Sequence, residues 1–544
     1  LRTHPSAWHR SETPGPLGGP VNTLNGLSTG PLADHWPSRS AAPILISGRA
    51  GLPGRQPVPK QQVGEIQLSS RSPNAGTVGV VVAAAPRRRR AWSASRPLTV
   101  LFLGFPLWWV LGITEFAFFL AAVPMAWSLI SRRTVIAPRG FGWWLGFLAV
   151  VLVSGTMLST DAPFSNTGPL GGTLLTFGYR LCWYLAATIV LLYVGNTDRD
   201  LLPTGKVVRL LAWMFVLTAF GGLLGVVAPH FEFNSPLELV LPDSIARNRF
   251  LHALIHPATA DIQSVLGFAQ PRPRAPFAYA NSWGANFSFY LPFFLLSWFA
   301  RDAGWRRLAG WPVLAVAAIP VVYSLNRGLW AVLVVGALFA VVQVIRLRGF
   351  NAVLWLAPVA VVAVVCALLS PLPTMISERF AHQHSNDRRV ELAIKTVKST
   401  VTGSPLIGFG NTRDVEGSFG SIAGGATLGC PACAVPPFGT QGHLWLVIFA
   451  QGLVGTVLFL AFFLVRFARH IRSREPVTMI GLAVLLFFLI EMLVYDTLGA
   501  PLFTLMIALG LMWRTDRELQ QDARSGFQHD AQQAKHDAAE VMAR

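Results

Sequence analysis

From Leu98 to about residue 513 the chain reads as apolar runs of membrane-crossing length separated by polar breaks. Twelve such runs are read, at 98–112, 115–131, 140–159, 174–194, 206–228, 284–300, 311–325, 328–345, 352–369, 444–465, 477–495 and 499–513. A bilayer's hydrocarbon core asks for about 20 helical residues, slightly fewer where loops are tight. These runs are apolar on all faces, and lipid offers no partner to an exposed backbone N–H or C=O, so each is predicted to be a helix. The expected fold is an all-α polytopic membrane protein with about twelve transmembrane helices over 98–513. Two connections, roughly 229–283 and 370–443, far exceed ordinary loop length, which points to function rather than mere linkage. The larger of them precedes the tenth run.

Residues 1–97 show no sustained period of 3.6 or 2 and are dense in Pro, Gly and Ser, as in SETPGPLGGP and PSRSAAPILISG. Such a stretch cannot bury a core and is expected to be a disordered tail. A shorter polar tail, 514–544, follows the last run.

Composition sharpens the membrane reading. Only 13% of the residues are charged and 52% are hydrophobic, against about 25% charged in ordinary soluble domains. The net charge of +18 is uneven, because the first 97 residues hold 12 Lys and Arg against 3 Asp and Glu. These basic residues lie in the tail and at helix ends rather than on a folded, partly aromatic surface, which argues against nucleic acid as a partner. Arg87 to Arg90, Arg132/Arg133/Arg139, Arg199/Lys206, Arg301/Arg306/Arg307, Arg346/Arg348, Arg466/Arg469/Arg472/Arg474 and Arg514/Arg517 fall on alternate sides of the runs. The positive-inside rule then places both termini in the cytoplasm and both long loops outside, so the active surface is expected to be extracytoplasmic, in the cell membrane.

Several residues carry candidate chemistry. Arg327, in SLNRG, sits at the outer junction of two helices otherwise free of charge, where it is costly unless it meets an anion or a water-filled cavity. Taken alone it reads equally well as a helix-end Arg snorkelling to headgroups. Arg388 and Arg389, in SNDRRVELAIKTV, open an amphipathic helix in the second long loop, and by themselves read as a solvated charged face. His443 follows GTQG and begins the run HLWLVIFAQGL, which places it at the outer membrane surface. Histidine is suited to take a proton from a hydroxyl near neutral pH, although an isolated interfacial His more often caps a helix. Glu491 and Asp496 lie near the outer end of the eleventh run with no assigned role.

Cys430 and Cys433 form C-x-x-C in the same outer loop, where a local disulfide is the expected state. The other two cysteines, Cys182 and Cys366, lie in apolar runs and read as small hydrophobes. No metal site is expected. His252 and His256 in HALIH have metal-pair spacing, but Ala replaces the Glu of H-E-x-x-H and no third ligand is evident from sequence; His382 and His384 are equally unsupported. The surrounding SIARNRFLHALIHPATADIQSVLGF is predicted to be one amphipathic helix at the outer interface. Asp198 and Asp200 match D-x-D but fall in a short loop on the predicted cytoplasmic side. The Gly-rich SPLIGFGNTRDVEGSFGSIAGGA lacks a P-loop or G-x-G-x-x-G, which excludes a nucleotide cradle.

The ordered set APFAYANSWGANFSFYLPFF, SLNRGLW, SNDRRVELA followed by GSPLIGFG, and GTQGHLWLVIFAQGL resembles the O-antigen ligase and O-antigen polymerase superfamily of integral-membrane sugar transferases. The likeness covers roughly 98–513 and looks most like the actinobacterial branch. It implies transfer of an oligosaccharide from a polyprenyl diphosphate carrier to an acceptor hydroxyl, on a glycan or lipid, at the outer face without metal or other cofactor. Arg327 matches the family's helix-end Arg, Arg389 or its neighbour Arg388 matches the loop Arg, and His443 matches the His that starts the helix after the large loop. The implied roles are diphosphate binding for the arginines and proton acceptance for His443. Leu444 stands where the family often has Asn. The chief alternative is a flippase for the same lipid-linked oligosaccharide, since twelve helices with both ends inside is also a common transporter plan. No internal repeat is visible, and the polar candidates cluster at the outer face rather than mid-membrane, which favours the enzyme. A metal-dependent glycosyltransferase is weaker, because the turn from Gly112 to Glu115 is too short for an acidic site.

Overall fold

The computed structural model of the chain describes residues 87–166, 170–246, 249–264, 269–351, 373–374, 377, 384–415 and 437–543. The protein is mostly helical, and eleven of the twelve expected runs fall on helices. The remaining run, 352–369, the Cys430–Cys433 pair and the tail up to residue 86 lie outside the described residues. The helices are α1 Arg87–Leu103, α2 Phe105–Leu111, α3 Thr114–Ile130, α4 Phe141–Ser154, α5 Leu170–Asn196 and α6 Thr204–Val227. Three short helices follow, α7 Pro236–Val240, α8 Asp243–Ala246 and α9 Arg249–Ile255, and then α10 Ala280–Trp298, α11 Trp305–Tyr323 and α12 Arg327–Arg348. The last four are α13 His384–Gly403, α14 His443–His470, α15 Pro476–Glu491 and α16 Ala500–Ala543. Two two-stranded antiparallel pairs complete the fold, β1 Ser165–Asn166 with β4 Asp414–Val415, and β2 Ala260–Ser264 with β3 Ala269–Pro273.

Among the described residues five helices are long and apolar enough to cross a membrane, or six when α1 and α2, bent by 57°, are taken as one span. The bend falls at Gly104, and Pro106 in the first turn of α2 brings no N–H to continue the α1 ladder. α3, α4 and α15 are apolar but shorter. Residues 87–97, expected in the tail, belong to α1, and the C-terminal tail continues α16 as one 44-residue helix.

The first long loop departs from the expected single amphipathic helix. Residues 243–273 form α8, α9 and a β2–β3 hairpin instead. Pro257 has no N–H to extend α9, and the β-branched and polar residues after it pair in the hairpin. The second long loop does contain the amphipathic helix expected there, α13, which starts four residues before Arg388, at His384. α13 buries Leu392, Ala393, Thr396, Ser399 and Thr400 and presents Arg389, Val390 and Ile394 to the outside.

Burial sorts the helices by environment. Two-thirds of the apolar window of α14 (67%) is covered by protein, whereas α11 and α12 have only 17% and 22% of theirs covered. Leu308, Val334 and Leu338 on those two helices are exposed apolar side chains of the kind that lipid solvates. The interior around α14 is aromatic. Trp144 of α4 lies with its ring 5.0–6.2 Å from those of Phe147, Tyr184, Phe459, Phe462 and Phe463. Its indole N–H donates to Thr188 Oγ1 at 2.7 Å, so the polar atom of the Trp144 ring is satisfied.

α14 is not continuous. At Gly452 the backbone takes φ 66°, ψ −170°, a conformation open essentially to glycine alone. Carbonyls freed by the break accept hydrogen bonds from the segment after α13: Phe409 N donates to Phe449 O at 2.9 Å and Gly410 N to Ala450 O at 2.8 Å. In return Leu453 N donates to Pro405 O at 2.8 Å. The loop motif PLIGFG thus repairs a helix break where lipid supplies no partner. The approach is so close that a Cβ on Gly452 would lie 2.5 Å from Leu406 O. Buried Arg413 closes the same corner by donating to Leu158 O at 2.7 Å and Met157 O at 3.2 Å.

Arginines gather around the connection between α5 and α6, where α16 packs on α5. Arg514 donates to Thr197 O at 3.1 Å, Leu202 O at 2.9 Å and Thr204 Oγ1 at 2.7 Å; Arg132 reaches Thr197 Oγ1 at 2.9 Å; Arg517 reaches Gly195 O at 2.9 Å. His470 Nε2 meets Asp516 Oδ2 at 2.5 Å, tying the end of α14 to α16. The substitution Gly452→Ala is expected to cost about 1–3 kcal/mol from backbone strain alone, with the clash against Leu406 added to it. A lower thermal midpoint in detergent checks this, and an unchanged midpoint would contradict the repaired break.

Candidate functional site

The short connection between α15 and α16, Met492 to Gly499, organises the candidate residues. The first N–H groups of a helix have no partner within it, and at α14 they are met by this connection. His443 N donates to Tyr495 O at 2.9 Å and Leu444 N to Met492 O at 2.9 Å. Gly442 makes the contact possible, because a Cβ there would lie 2.7 Å from Met492 O. Gln441 joins α13 to this junction by donating to Thr396 Oγ1 at 2.8 Å.

His443 is 0% exposed, enclosed by protein at the start of α14. The start of α14 is packed beneath Tyr495, not laid against headgroups. Both ring nitrogens are engaged: Nδ1 lies 2.9 Å from Thr497 Oγ1 and Nε2 lies 3.1 Å from Tyr184 Oη. A neutral imidazole donates from one nitrogen and accepts at the other, so one hydroxyl gives a proton to the ring and the other receives one. The Tyr184 and His443 rings stack with centroids 6.1 Å apart, and Phe459 and Phe488 meet the imidazole edge-on at 5.2 and 6.0 Å.

Around the ring lies a set of polar groups that sequence reasoning either missed or left without a role. Arg180 of α5 hydrogen-bonds Asn411 Oδ1 and reaches Thr412 Oγ1 at 3.4 Å, and its charge acts on Tyr184, His443 and Asp496. Asp496 is exposed to solvent, with its carboxylate set among the surrounding groups of the junction. Burial raises its carboxyl above the usual range, while the Leu498 N–H at 2.9 Å and the Arg180 charge oppose that rise. Glu115 and Tyr279 share its electrostatic neighbourhood. Glu491 lies deeper, 0% exposed, with Oε1 accepting from Ser288 Oγ at 2.9 Å.

Tyr495 is the hub. Besides holding His443 N with its carbonyl, it accepts the Gly328 N–H on its hydroxyl at 3.1 Å. Its ring lies 5.8 Å beneath the Arg389 guanidinium, a cation–π geometry. Arg389 also donates to Val494 O at 3.4 Å. Gly328 must be glycine for this packing, since a Cβ would fall 2.1 Å from Tyr495 Cε2. Asn326 caps α12 by accepting from Leu329 N at 2.9 Å, which fixes Arg327 as its first residue. Leu325, just before the cap, has φ +50°, so SLNRG turns through a strained left-handed step.

A third arginine joins them. Arg272 of β3 is buried and donates to Ser324 O at 2.8 Å, Gln263 Oε1 at 2.8 Å and Asn281 Oδ1 at 3.0 Å. Burial pushes its guanidinium below its ordinary value, Tyr495 and Asp261 hold it up, and Arg389 lowers it further. Arg327 and Arg389 act on each other in the same repulsive sense. Guanidinium groups collected in this way favour an anion between them.

The structure therefore brings Arg327, Arg389 and His443 to one junction, with Arg388 preceding Arg389 on α13. Tyr495 and Thr497 stand in an apolar tail, where aromatic and hydroxyl residues read as interface anchors; the adjacent Asp496 was the only local signal. Beside Arg389 a groove of about 910 Å³ runs along α13, lined by apolar residues including Ile394, Val397, Trp445 and Leu493, with Lys398 on its wall.

Tyr495→Phe keeps the ring beneath Arg389 but leaves the buried Gly328 N–H without its acceptor. It is expected to cost about 1–3 kcal/mol, read as a lower thermal midpoint in detergent; a midpoint equal to wild type would remove Tyr495 from its place as hub. Comparison of the chain with protein-family profiles, curated proteins and solved structures gives no match.

Proposed function

We propose that this protein is a membrane glycosyl transferase that moves an oligosaccharide from a polyprenyl diphosphate carrier to an acceptor hydroxyl on the extracytoplasmic face. The observation that carries the reading is the convergence on Tyr495 of the Gly328 N–H beside Arg327, the Arg389 guanidinium and the backbone of His443, from three separate stretches of the chain. The apolar groove beside Arg389 suits a prenyl chain, and the clustered guanidiniums suit the diphosphate that ends it. Arg132 after α3 and Arg514 and Arg517 on α16, gathered around Gly195 to Thr204, support placing both termini in the cytoplasm and the Tyr495 junction outside, with about twelve spans in all.

In the proposed reaction the acceptor oxygen forms a bond to the anomeric carbon while the bond from that carbon to the phosphate oxygen breaks. The diphosphate leaves with the bonding electrons, and Arg327 and Arg389 stabilise the charge it gains. The acceptor's proton passes to His443. Because Tyr184 and Thr497 occupy both ring nitrogens, the proton travels through one of their hydroxyls, and Arg180 and Asp496 set the local field. Arg suits this site better than Lys, since its planar fork binds phosphate oxygens bidentately and stays charged next to lipid.

The test is a transfer assay on the purified chain in liposomes, with a synthetic polyprenyl diphosphate oligosaccharide and an acceptor glycan. Arg327→Ala and Arg389→Ala are each expected to lower turnover by about 10²-fold or more, and the Lys variants to recover only part of it. His443→Gln is the preferred variant of the buried imidazole, because Ala would also leave two hydroxyls unpaired; it is expected to abolish transfer while inserted protein remains. Full turnover in all three variants, or passage of donor across the bilayer without release of polyprenyl diphosphate, would overturn the reading.

A further inference from the structure

His252 and His256 lie one turn apart on α9, and their rings stack with centroids 4.6 Å apart and an interplanar angle of 17°. The spacing alone left the pair without a third ligand. The fold supplies one from α7: Glu238 Oε1 lies 3.3 Å from His252 Nε2, and Glu238 Oε2 lies 2.9 Å from His256 Nδ1. One ligand atom from each of the three residues lies within 4.8 Å of the others. A second carboxylate is adjacent, with Glu232 Oε2 3.7 Å from His256 Nε2.

These groups are held from behind. Ser235 and Glu238 form a capping box at the start of α7, in which Glu238 N donates to Ser235 Oγ at 3.1 Å. Arg274, ion-paired to Asp261 at 3.0 Å, donates to His256 O at 3.0 Å and fixes the end of α9. The turn between α2 and α3 presses on both pieces, since a Cβ on Gly112 would lie 2.2 Å from Ser235 Oγ and 2.5 Å from Ile255 O.

We propose that Glu238, His252 and His256 form a divalent-cation site of the Zn²⁺ class, with Glu232 or water as the fourth ligand. Two imidazoles and a carboxylate are a ligand set suited to Zn²⁺. Zinc–ligand bonds of about 2.0–2.1 Å in a tetrahedron place neighbouring ligand atoms about 3.3 Å apart; the Glu238 Oε1 to His252 Nε2 separation of 3.3 Å equals that edge, and the 2.9 Å contact of Glu238 Oε2 with His256 Nδ1 is a hydrogen bond that the ion would replace. The His252 side chain is 45% exposed, which leaves the ion a route in from solvent. The carboxylates of Glu238 and Glu232 beside the two imidazoles also supply the negative charge that a dication balances. Helices of 5 and 7 residues such as α7 and α9 are too short to persist alone. A shared metal joins them and holds the 229–283 loop against the outer end of α2 and α3. The role is structural and separate from the Tyr495 junction, so the proposal stands or falls independently of the transfer reaction.

The test uses the full chain purified in detergent through a tag without histidines, stripped with chelator and then dialysed against limiting Zn²⁺. One Zn²⁺ per chain above the level held by the double variant His252→Ala/His256→Ala is expected by elemental mass spectrometry. Added Zn²⁺ should raise the thermal midpoint of wild type and leave that of the double variant in place. Glu238→Gln keeps the shape of the capping box, and should weaken Zn²⁺ binding by about tenfold or more; it serves if the double variant fails to fold. Co²⁺ in place of zinc is expected to give the intense visible absorption of a tetrahedral centre. Equal zinc in wild type and variants, or a thermal midpoint indifferent to Zn²⁺, would overturn the site and leave the three residues as a hydrogen-bonded surface pair of histidines on a glutamate.

Discussion

The arrangement depends on one constraint, that backbone groups at a helix end must find partners inside the protein when lipid offers none. At the start of α14 those partners are the carbonyls of Tyr495 and Met492. The bonding fixes where the connection between α15 and α16 must run, and so fixes which side chains surround His443. The same constraint acts lower in α14, where the break at Gly452 exposes carbonyls that Phe409 and Gly410 cover. α13, the PLIGFG segment and α14 are therefore one unit, and Arg389 on α13 is carried to a defined place against Tyr495.

The chemistry follows from that placement. A charged guanidinium near lipid is costly by itself, and Arg389 adds its repulsion to both Arg272 and Arg327. Much of the cost is met by the fold: Arg272 spends its donors on Ser324, Gln263 and Asn281, and Arg389 lies over an aromatic face. What remains is the charge of Arg389 on the wall of an apolar groove, the feature on which the proposed polyprenyl diphosphate donor rests. Buried His443 is held between two hydroxyls, so the orientation of the ring to which the proposal gives the acceptor's proton is fixed by the fold.

Hydropathy made the helices legible, because a run apolar on every face has few other fates in a bilayer. It was silent on the devices that make the site. Gly452 sits within an unbroken apolar run, so nothing in the pattern marks a backbone break there. Tyr495 looks like one more interfacial aromatic until its hydroxyl is found on Gly328 N and its carbonyl on His443 N. Arg327, Arg389 and His443 were singled out through their neighbours in sequence, and the fold places all three at one junction. His443 nonetheless lies in the interior, because the end of α15 folds over the start of α14. In the first long loop the periodicity suggested one helix, whereas Pro257 and the residues after it produce a short helix and a hairpin. That departure is also why the third companion of His252 and His256 could not be read from spacing: Glu238 comes from a different helix.

The most direct test of the account is the sidedness of the lipid-linked oligosaccharide that accumulates in cells lacking this protein, read with a membrane-impermeant sugar-modifying reagent on intact cells. The account predicts that the accumulated donor is modified, because delivery to the outer leaflet proceeds and transfer fails. Donor protected from the reagent until the cells are opened would place the defect in translocation, and would contradict a transfer site built on Arg327, Arg389 and His443.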